Sequence, residues 1–263
     1  VSVAHLPLRG RVVFVTGGGR GIGRGIAQAC AEAGASVGLG DLRAEDAVET
    51  ARLVEASGQR AHAVALDVRQ PESLEAAVAG TVSVLGRLDG WVNNAGVLRL
   101  DKALEARADD FEAQMRVNAQ AVLCGCQAAA RRMIAQGGGG TIVNVASNAG
   151  KVGYRNMAGY NASKAAVISL TRSLSLEWAA HRINVNAVCP GGVETPMLRE
   201  VAEWLAPRLG QTPDALYAQM KPQQLERRIL PIEVGRVVAF LLSEAATIIR
   251  GQSINVDGGD TPY

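Results

Sequence analysis

The sequence is poor in the residues that build several common kinds of protein. Four of its 263 residues are cysteine (Cys30, Cys124, Cys126 and Cys189), and none shows the C-x-x-C pairing of a metal or redox motif. Cys124 and Cys126 fall inside a helical pattern, so buried free thiols in a reducing compartment are expected. Histidine occurs three times, scattered at His5, His62 and His181. That leaves few ligands for zinc, and no metal site is expected. No apolar stretch approaches the roughly 18 residues that span a bilayer, and the start of the chain lacks a charged-then-apolar signal pattern. Cytoplasm is therefore the expected compartment. The net charge is only +2 and no run of Lys or Arg forms a stripe, which argues against a nucleic-acid groove.

What is present is ordinary globular composition, 48% apolar and 20% charged, with thirty glycines, many of them clustered. The length suits one large domain, residues 1–263. Short apolar runs alternate with longer amphipathic segments almost throughout. Val12–Thr16, Ser36–Asp41, Ala61–Asp67, Gly90–Asn94, Thr141–Ser147, Ile183–Cys189 and Ser253–Asp257 read as seven strands. Several are near-continuous runs of Val, Ile and Ala, as expected for strands covered on both faces. Between them, Ile22–Ala33, Ala44–Ala56, Pro71–Leu85, Ala108–Ala135, Ala158–Ala180 and Pro231–Ser243 read as helices. Pro71 and Pro231 suit a first helical turn, and Gly34 suits a helix end. The alternation predicts an α/β fold, a Rossmann-type doubly wound parallel sheet of seven strands with helices on both faces. The segment Thr195–Leu230 breaks the rhythm and reads as an inserted lid or partner surface.

The first strand runs into Thr16-Gly17-Gly18-Gly19-Arg20-Gly21-Ile22-Gly23 and then a helix. Glycines let the backbone turn tightly and let a pyrophosphate approach, while the helix start offers free N–H groups. Asp41 closes the second strand, eighteen positions past Gly23. A carboxylate there accepts ribose hydroxyls and repels a 2′-phosphate, which favours NAD over NADP; it is also a good helix N-cap. Arg20 pulls the other way, since a guanidinium pairs with a 2′-phosphate. Asp67 and Val68 suit either an adenine edge or a simple turn. Farther along, Tyr160 and Lys164 lie one helical turn apart on one face, and Ser147 ends a strand thirteen residues before Tyr160. A nearby ammonium favours a phenolate, whose unperturbed pKa lies near ~10.

Taken together, Thr16-Gly17-x-x-x-Gly21-x-Gly23, Asn93-Asn94-Ala95-Gly96, Ser147, Tyr160-x-x-x-Lys164 and Pro190-Gly191 resemble, in order and spacing, the short-chain dehydrogenase/reductase family, over about Leu8 to Gly259. The resemblance implies a nicotinamide-dependent oxidoreductase. Tyr160 would be the general acid/base and Ser147 would hydrogen-bond the substrate oxygen. Lys164 would bind the nicotinamide ribose and lower the phenol pKa, and Asn118 would hold a water in the proton relay or, more plainly, kink its helix. It further implies cofactor contacts from Gly17, Gly19, Arg20, Gly21 and Ile22 in the loop, from Asp41, Asp67 and Val68, and from Asn94, Ala95 and Gly96. Tyr160, Lys164, Pro190, Gly191, Val193 and Thr195 would contact the nicotinamide end. Asp257-Gly258-Gly259 resembles the family's terminal strand.

Within the family, Ala146–Gly153 followed by Cys189-Pro190-Gly191 is most similar to NAD-linked polyol and acetoin/diacetyl dehydrogenases. Tyr154, Arg155 and Asn156 either hydrogen-bond a hydroxylated substrate or cap a surface loop. Met197, Leu198, Trp204 and Leu205 form an amphipathic lid or pack internally. The substrate is expected to be a small secondary alcohol or ketone, with a 3-oxoacyl-thioester reductase using NADPH, or a non-enzymatic NAD-sensing scaffold, as alternatives. The family resemblance also implies a homotetramer through the helices at Ala108–Ala135 and Ala158–Ala180.

Overall fold

A computed structural model describes residues 7–261; His5 lies outside them. The elements run β1 (Val12–Thr16), α1 (Gly21–Glu32), β2 (Ser36–Asp41), α2 (Ala44–Ala56), β3 (Ala61–Ala65), α3 (Pro71–Leu85), β4 (Gly90–Asn93), α4 (Ala108–Met115), α5 (Ala121–Gln136) and β5 (Gly140–Val145). They continue with α6 (Ala158–Glu177), β6 (Ile183–Pro190), α7 (Pro196–Leu205), α8 (Pro213–Gln219), α9 (Pro231–Leu242) and β7 (Ser253–Val256). The seven strands form one sheet in the order β3-β2-β1-β4-β5-β6-β7, and every pairing is parallel. The expected doubly wound sheet is thus present, and the chain reverses its winding direction between β1 and β4. Open sheets of this kind bind ligands at that switch point, beyond the carboxyl ends of the strands.

The alternation of side chains along each strand divides the core into two layers. Val13 and Val15 face α1, α2 and α9, together with Val37, Leu39, Val143 and Val188. Phe14 points the other way and stacks on Trp91 at 4.7 Å, in the layer that α3, α5 and α6 cover. Helices α1 and α9 meet through facing glycines: a Cβ on Gly235 would lie 2.3 Å from the Gly25 carbonyl oxygen. That close approach anchors the helix whose N-terminus follows the glycine loop.

Several element boundaries differ from the sequence expectation; β5, for one, ends at Val145 rather than Ser147. Strand β3 stops at Ala65, because Asp67 turns back to accept both the backbone N–H and the guanidinium of Arg69. The helical stretch expected at Ala108–Ala135 is interrupted by one π-helical turn, Arg116–Gln120. Strand β6 runs through Pro190, which pairs with Val256. As expected, Cys30, Cys126 and Cys189 are buried free thiols, whereas Cys124 is only partly buried. No helix among the described residues is long and apolar enough to cross a membrane.

The segment that breaks the alternation folds as α7 and α8 around a small core of its own. Ala202, Ala206 and Leu216 are buried there, with Leu205, Tyr217 and Met220 packed against them. Its two ends lie side by side: Glu194 N–H donates to the Ile229 carbonyl at 2.8 Å and Ile229 N–H to the Gly192 carbonyl at 3.1 Å. Arg228 closes this loop. Its guanidinium lies 4.2 Å from the Tyr217 ring centre, donates to the Tyr217 carbonyl at 3.1 Å and pairs with Glu194 at 3.4 Å.

Candidate active site

The carboxyl edge of the sheet gathers most of the residues singled out in the sequence. The loop after β1 turns at Gly17, whose φ of 61° lies in the left-handed region, and a Cβ at Gly23 would sit 2.0 Å from the Gly17 carbonyl oxygen. Only glycine fits these two places. The loop is then tied to the segment after β4. Asn94 Nδ2 donates to the carbonyls of Thr16 (3.0 Å) and Gly17 (2.9 Å), and the Thr16 hydroxyl accepts the N–H groups of Asn94 and Ala95. The main chain is thereby packed closely at the switch point, with the start of α1 open beyond it. Such a cradle fits the diphosphate of a dinucleotide, which needs backbone donors and no side chain in the way.

Asp41 lies at the end of β2 and its carboxylate is held in place. Gly19 N–H donates to Oδ2 at 3.0 Å and Arg43 N–H to Oδ1 at 3.2 Å. A carboxylate retains acceptor capacity beyond those two bonds, so it fits ribose hydroxyls as well. Arg20, at the N-cap of α1, is exposed, and its side chain makes no hydrogen bond or ion pair among the described residues. Asp67 bonds to Arg69. It belongs to the turn after β3, where Arg69 holds its carboxyl below the usual carboxylate range, and Val68 beside it packs at the margin of the core.

Ser147, Tyr160 and Lys164 come together from β5 and α6. The Ser147 hydroxyl accepts the Ala149 N–H at 3.1 Å and stands near enough to the Tyr160 phenol to favour its ionised form. Lys164 Nζ donates to the Val145 carbonyl at 2.9 Å and lies 5.7 Å from the centre of the Tyr160 ring. The expectation that Lys164 draws the phenol pKa down is corrected here. Burial pushes Tyr160 up to about 12, opposed only by the Ser147 hydroxyl, and burial also pulls Lys164 down to about 8. Both charged forms lose hydration on burial, and neither shift carries a contribution from the other group.

Asn118 occupies the π turn and is fully buried. Its Oδ1 accepts from Val97 N–H at 2.8 Å, and its Nδ2 donates to the Val97 carbonyl at 2.8 Å and to Ser163 Oγ at 3.0 Å. Ser163 in turn donates to the Tyr160 carbonyl at 2.8 Å. Both amide protons are therefore committed to protein partners, and the side chain braces the loop after β4 against the first turn of α6. The π turn at Asn118 interrupts the helix, in keeping with one of the two readings of this residue.

At the far side of the cleft, Pro190 ends β6 and Gly191 follows it, and a Cβ on Gly191 would meet Asp257 Cβ at 2.7 Å. Asp257 is buried and accepts from Gly259 N–H, Thr261 N–H and the Thr261 hydroxyl. Val193 is buried, and the Thr195 hydroxyl caps α7 by accepting from Leu198 N–H at 3.3 Å. The methyl of Thr195 stands beside Gly21, with a Cβ there only 3.3 Å away, so the segment that leads into α7 begins beside the glycine loop. Of the three loop residues considered for substrate contact, Tyr154 reaches back to the site: Asn148 Nδ2 donates to its hydroxyl at 2.8 Å. Asn156 serves the turn with a φ of 64°, and Arg155 is exposed. Sequence reasoning gave no role to Ser163, whose only signal was its closeness to Tyr160.

Comparison with known proteins bears directly on this arrangement. The sequence profile described as short chain dehydrogenase matches residues 11–206. The chain belongs to the short-chain dehydrogenase family. It is 34% identical over 251 residues to cyclopentanol dehydrogenase of a Comamonas species, covering 95% of this chain and 97% of that one. It is 35% identical over 217 residues to 2-dehydro-3-deoxy-D-gluconate 5-dehydrogenase of Escherichia coli, 81% of each chain. Among solved structures, levodione reductase superposes with a TM-score of 0.91 at 31% identity, covering 97% of this chain and all of that one (100%). As a short-chain dehydrogenase the protein is an oxidoreductase that acts on alcohols and ketones, with CH–OH groups as the reacting centre and a small molecule as substrate. The family typically uses NAD(P)(H).

Proposed function

We propose that this short-chain dehydrogenase interconverts a secondary alcohol, a polyol or small diol, and its ketone using NAD(H), with Tyr160 as the proton donor and acceptor. The observation that carries the reading is the convergence of Ser147, Tyr160 and Lys164 at the carboxyl edge of the sheet, beside the glycine loop. Gly17, Gly19, Gly21 and Ile22 would line the diphosphate, Asp41 the adenosine ribose, and Asn94, Ala95 and Gly96 the adjoining wall. Lys164, Pro190, Gly191, Val193 and Thr195 would contact the nicotinamide end. When bound, the nicotinamide supplies the hydride acceptor or donor.

The chain's own residues handle the proton and the oxygen. Tyr160 takes the alcohol proton in oxidation and returns it in reduction, and Ser147 holds the substrate oxygen as its charge changes. Lys164 would hold the nicotinamide ribose beside the phenol, whose ionisation burial opposes and Ser147 favours. Asn118 positions this machinery through Ser163. Asp41 supports NAD over NADP, because its carboxylate is held rigidly where a 2′-phosphate would meet it. The Asn148–Tyr154 pair next to Ser147 supports a hydroxylated substrate, and α7–α8 would act as the lid over it. We place the protein in the cytoplasm as a homotetramer built through α4–α5 and α6, where Phe111 and Leu176 are exposed.

One observation favours a second reading, a 3-oxoacyl-thioester reductase using NADPH: Arg20 is exposed at the glycine loop and free to meet a phosphate. A panel of polyols, diols and 3-oxoacyl thioesters, each assayed with NAD(H) and NADP(H), separates the two. Turnover of a diol with NAD is expected; a thousandfold preference for NADPH would overturn the proposal. An intact Ser147, Tyr160 and Lys164 set argues against a non-enzymatic scaffold, which has no use for it.

A further inference from the structure

The glycine loop is gripped by contacts that proton and hydride transfer do not require. Gly19 sits at its centre. Its carbonyl accepts from Arg24 Nε at 3.0 Å and from Nη2 of the same guanidinium at 2.8 Å, and it lies 3.0 Å from the Thr50 hydroxyl. Arg24 Nε also reaches Thr50 Oγ1 at 3.1 Å, and Thr50 is fully buried. On the other side of the residue, Gly19 N–H donates to Asp41 Oδ2 at 3.0 Å. A Cβ at position 19 would fall 2.5 Å from Asp46 Cβ and 2.8 Å from that same Asp41 oxygen. Helix α1 supplies Arg24, α2 supplies Thr50 and β2 supplies Asp41, so three elements close on one glycine. Arg24 makes no ion pair among the described residues; its guanidinium serves a main-chain carbonyl and a hydroxyl.

We propose that Arg24, supported by Thr50, is a positioning residue for dinucleotide binding: it locks the Gly19 carbonyl so that the Gly19 N–H holds the Asp41 carboxylate in its ribose-selecting orientation. The proposal rests on the NAD reading above. A run of glycines is mobile when unbound, and a ligand that must order it binds more weakly than one that meets a preformed loop. Charge-assisted bonds to one carbonyl are among the stronger restraints available for this purpose. Asp41 therefore depends on Arg24 without touching it, and cofactor affinity and cofactor selectivity are coupled through the two peptide groups that flank one glycine.

The test compares wild type with Arg24→Ala, Arg24→Lys and Thr50→Val by calorimetric titration with NAD and NADP, and by amide hydrogen exchange of residues 18–21 in the cofactor-free protein. Arg24→Ala is expected to weaken NAD binding by about tenfold or more, the loss of one or two charge-assisted bonds. It should raise KM for NAD while leaving kcat at saturating cofactor within about twofold, narrow the NAD-to-NADP ratio, and speed exchange in the loop. Thr50→Val removes no charge and should act in the same direction by a few-fold, which separates positioning from electrostatic attraction of phosphate. If Arg24→Ala fails to fold, Arg24→Lys and Thr50→Val decide the matter. Variants that bind NAD within twofold of wild type, or that lose melting temperature alone, overturn the proposal. Should wild type bind neither NAD nor NADP, the cofactor reading fails, and the exchange rates still decide whether Arg24 holds the loop.

Discussion

Replacing Lys164 by Met should make the cofactor-free protein more stable at neutral pH, and the gain should disappear as the pH is raised. Lys164 is buried, and its ammonium is disfavoured enough to bring its pKa from 10.5 to about 8. Because the folded state holds the proton less tightly than the unfolded state, the unfolded chain binds more protons between about pH 8 and 10.5, and wild-type stability rises with pH across that window. The cost below pH 8 is on the order of 3 kcal/mol. The bond from Nζ to the Val145 carbonyl, worth about 1 kcal/mol, is lost in the variant. Lys164→Met should therefore gain about 2 kcal/mol at pH 7 and fall below wild type by about pH 10. Tyr160 acts in the opposite direction: its folded pKa of about 12 lies above the ordinary 10, so stability falls as pH rises from 10 toward 12. That contribution is common to both proteins and largely cancels in their difference. Urea denaturation at intervals from pH 7 to 10.5 reads the difference directly. A difference that does not change with pH would refute the claim that burial controls this lysine.

Three further outcomes follow from the same geometry. Asn118→Ala should destabilise the protein by about 2–4 kcal/mol in urea denaturation, since it strands the Val97 N–H and carbonyl beside a fully buried site; a loss under about 0.5 kcal/mol would show the brace to be idle. Tyr154→Phe should raise KM for a diol several-fold while leaving a monohydric alcohol nearly unchanged, and equal effects on both would remove Tyr154 from the substrate pocket. Gel filtration should give a mass near four subunits, and a mass near one would count against assembly through α4–α5 and α6.

The sheet was legible because its strands announce themselves chemically. A run such as Val12–Thr16 is apolar on both sides, which only a strand covered by two helical layers tolerates. The π turn at Arg116–Gln120 was not legible: one extra residue in a turn leaves the apolar spacing nearly intact, with no Gly or Pro to mark it. The polar Asn118 in an otherwise helical stretch was the one hint. Asp67 misled at the end of β3, because its partner Arg69 lies two residues on and their pairing bends the chain at once. At the site, the spacing of Tyr160 and Lys164 fixed their common face but not their dehydration, which depends on what α6 packs against. Arg24 and Thr50 are 26 positions apart in different helices, so only the fold reveals that they share a carbonyl.

The proton-transfer role of Tyr160 is tested most directly by Tyr160→Phe, a change that removes one oxygen atom and keeps the ring. NADH binding, followed by fluorescence titration, should stay within about twofold of wild type, while oxidation of any secondary alcohol the wild type accepts should fall by at least about a thousandfold. A variant that retained a tenth of wild-type kcat would contradict the account.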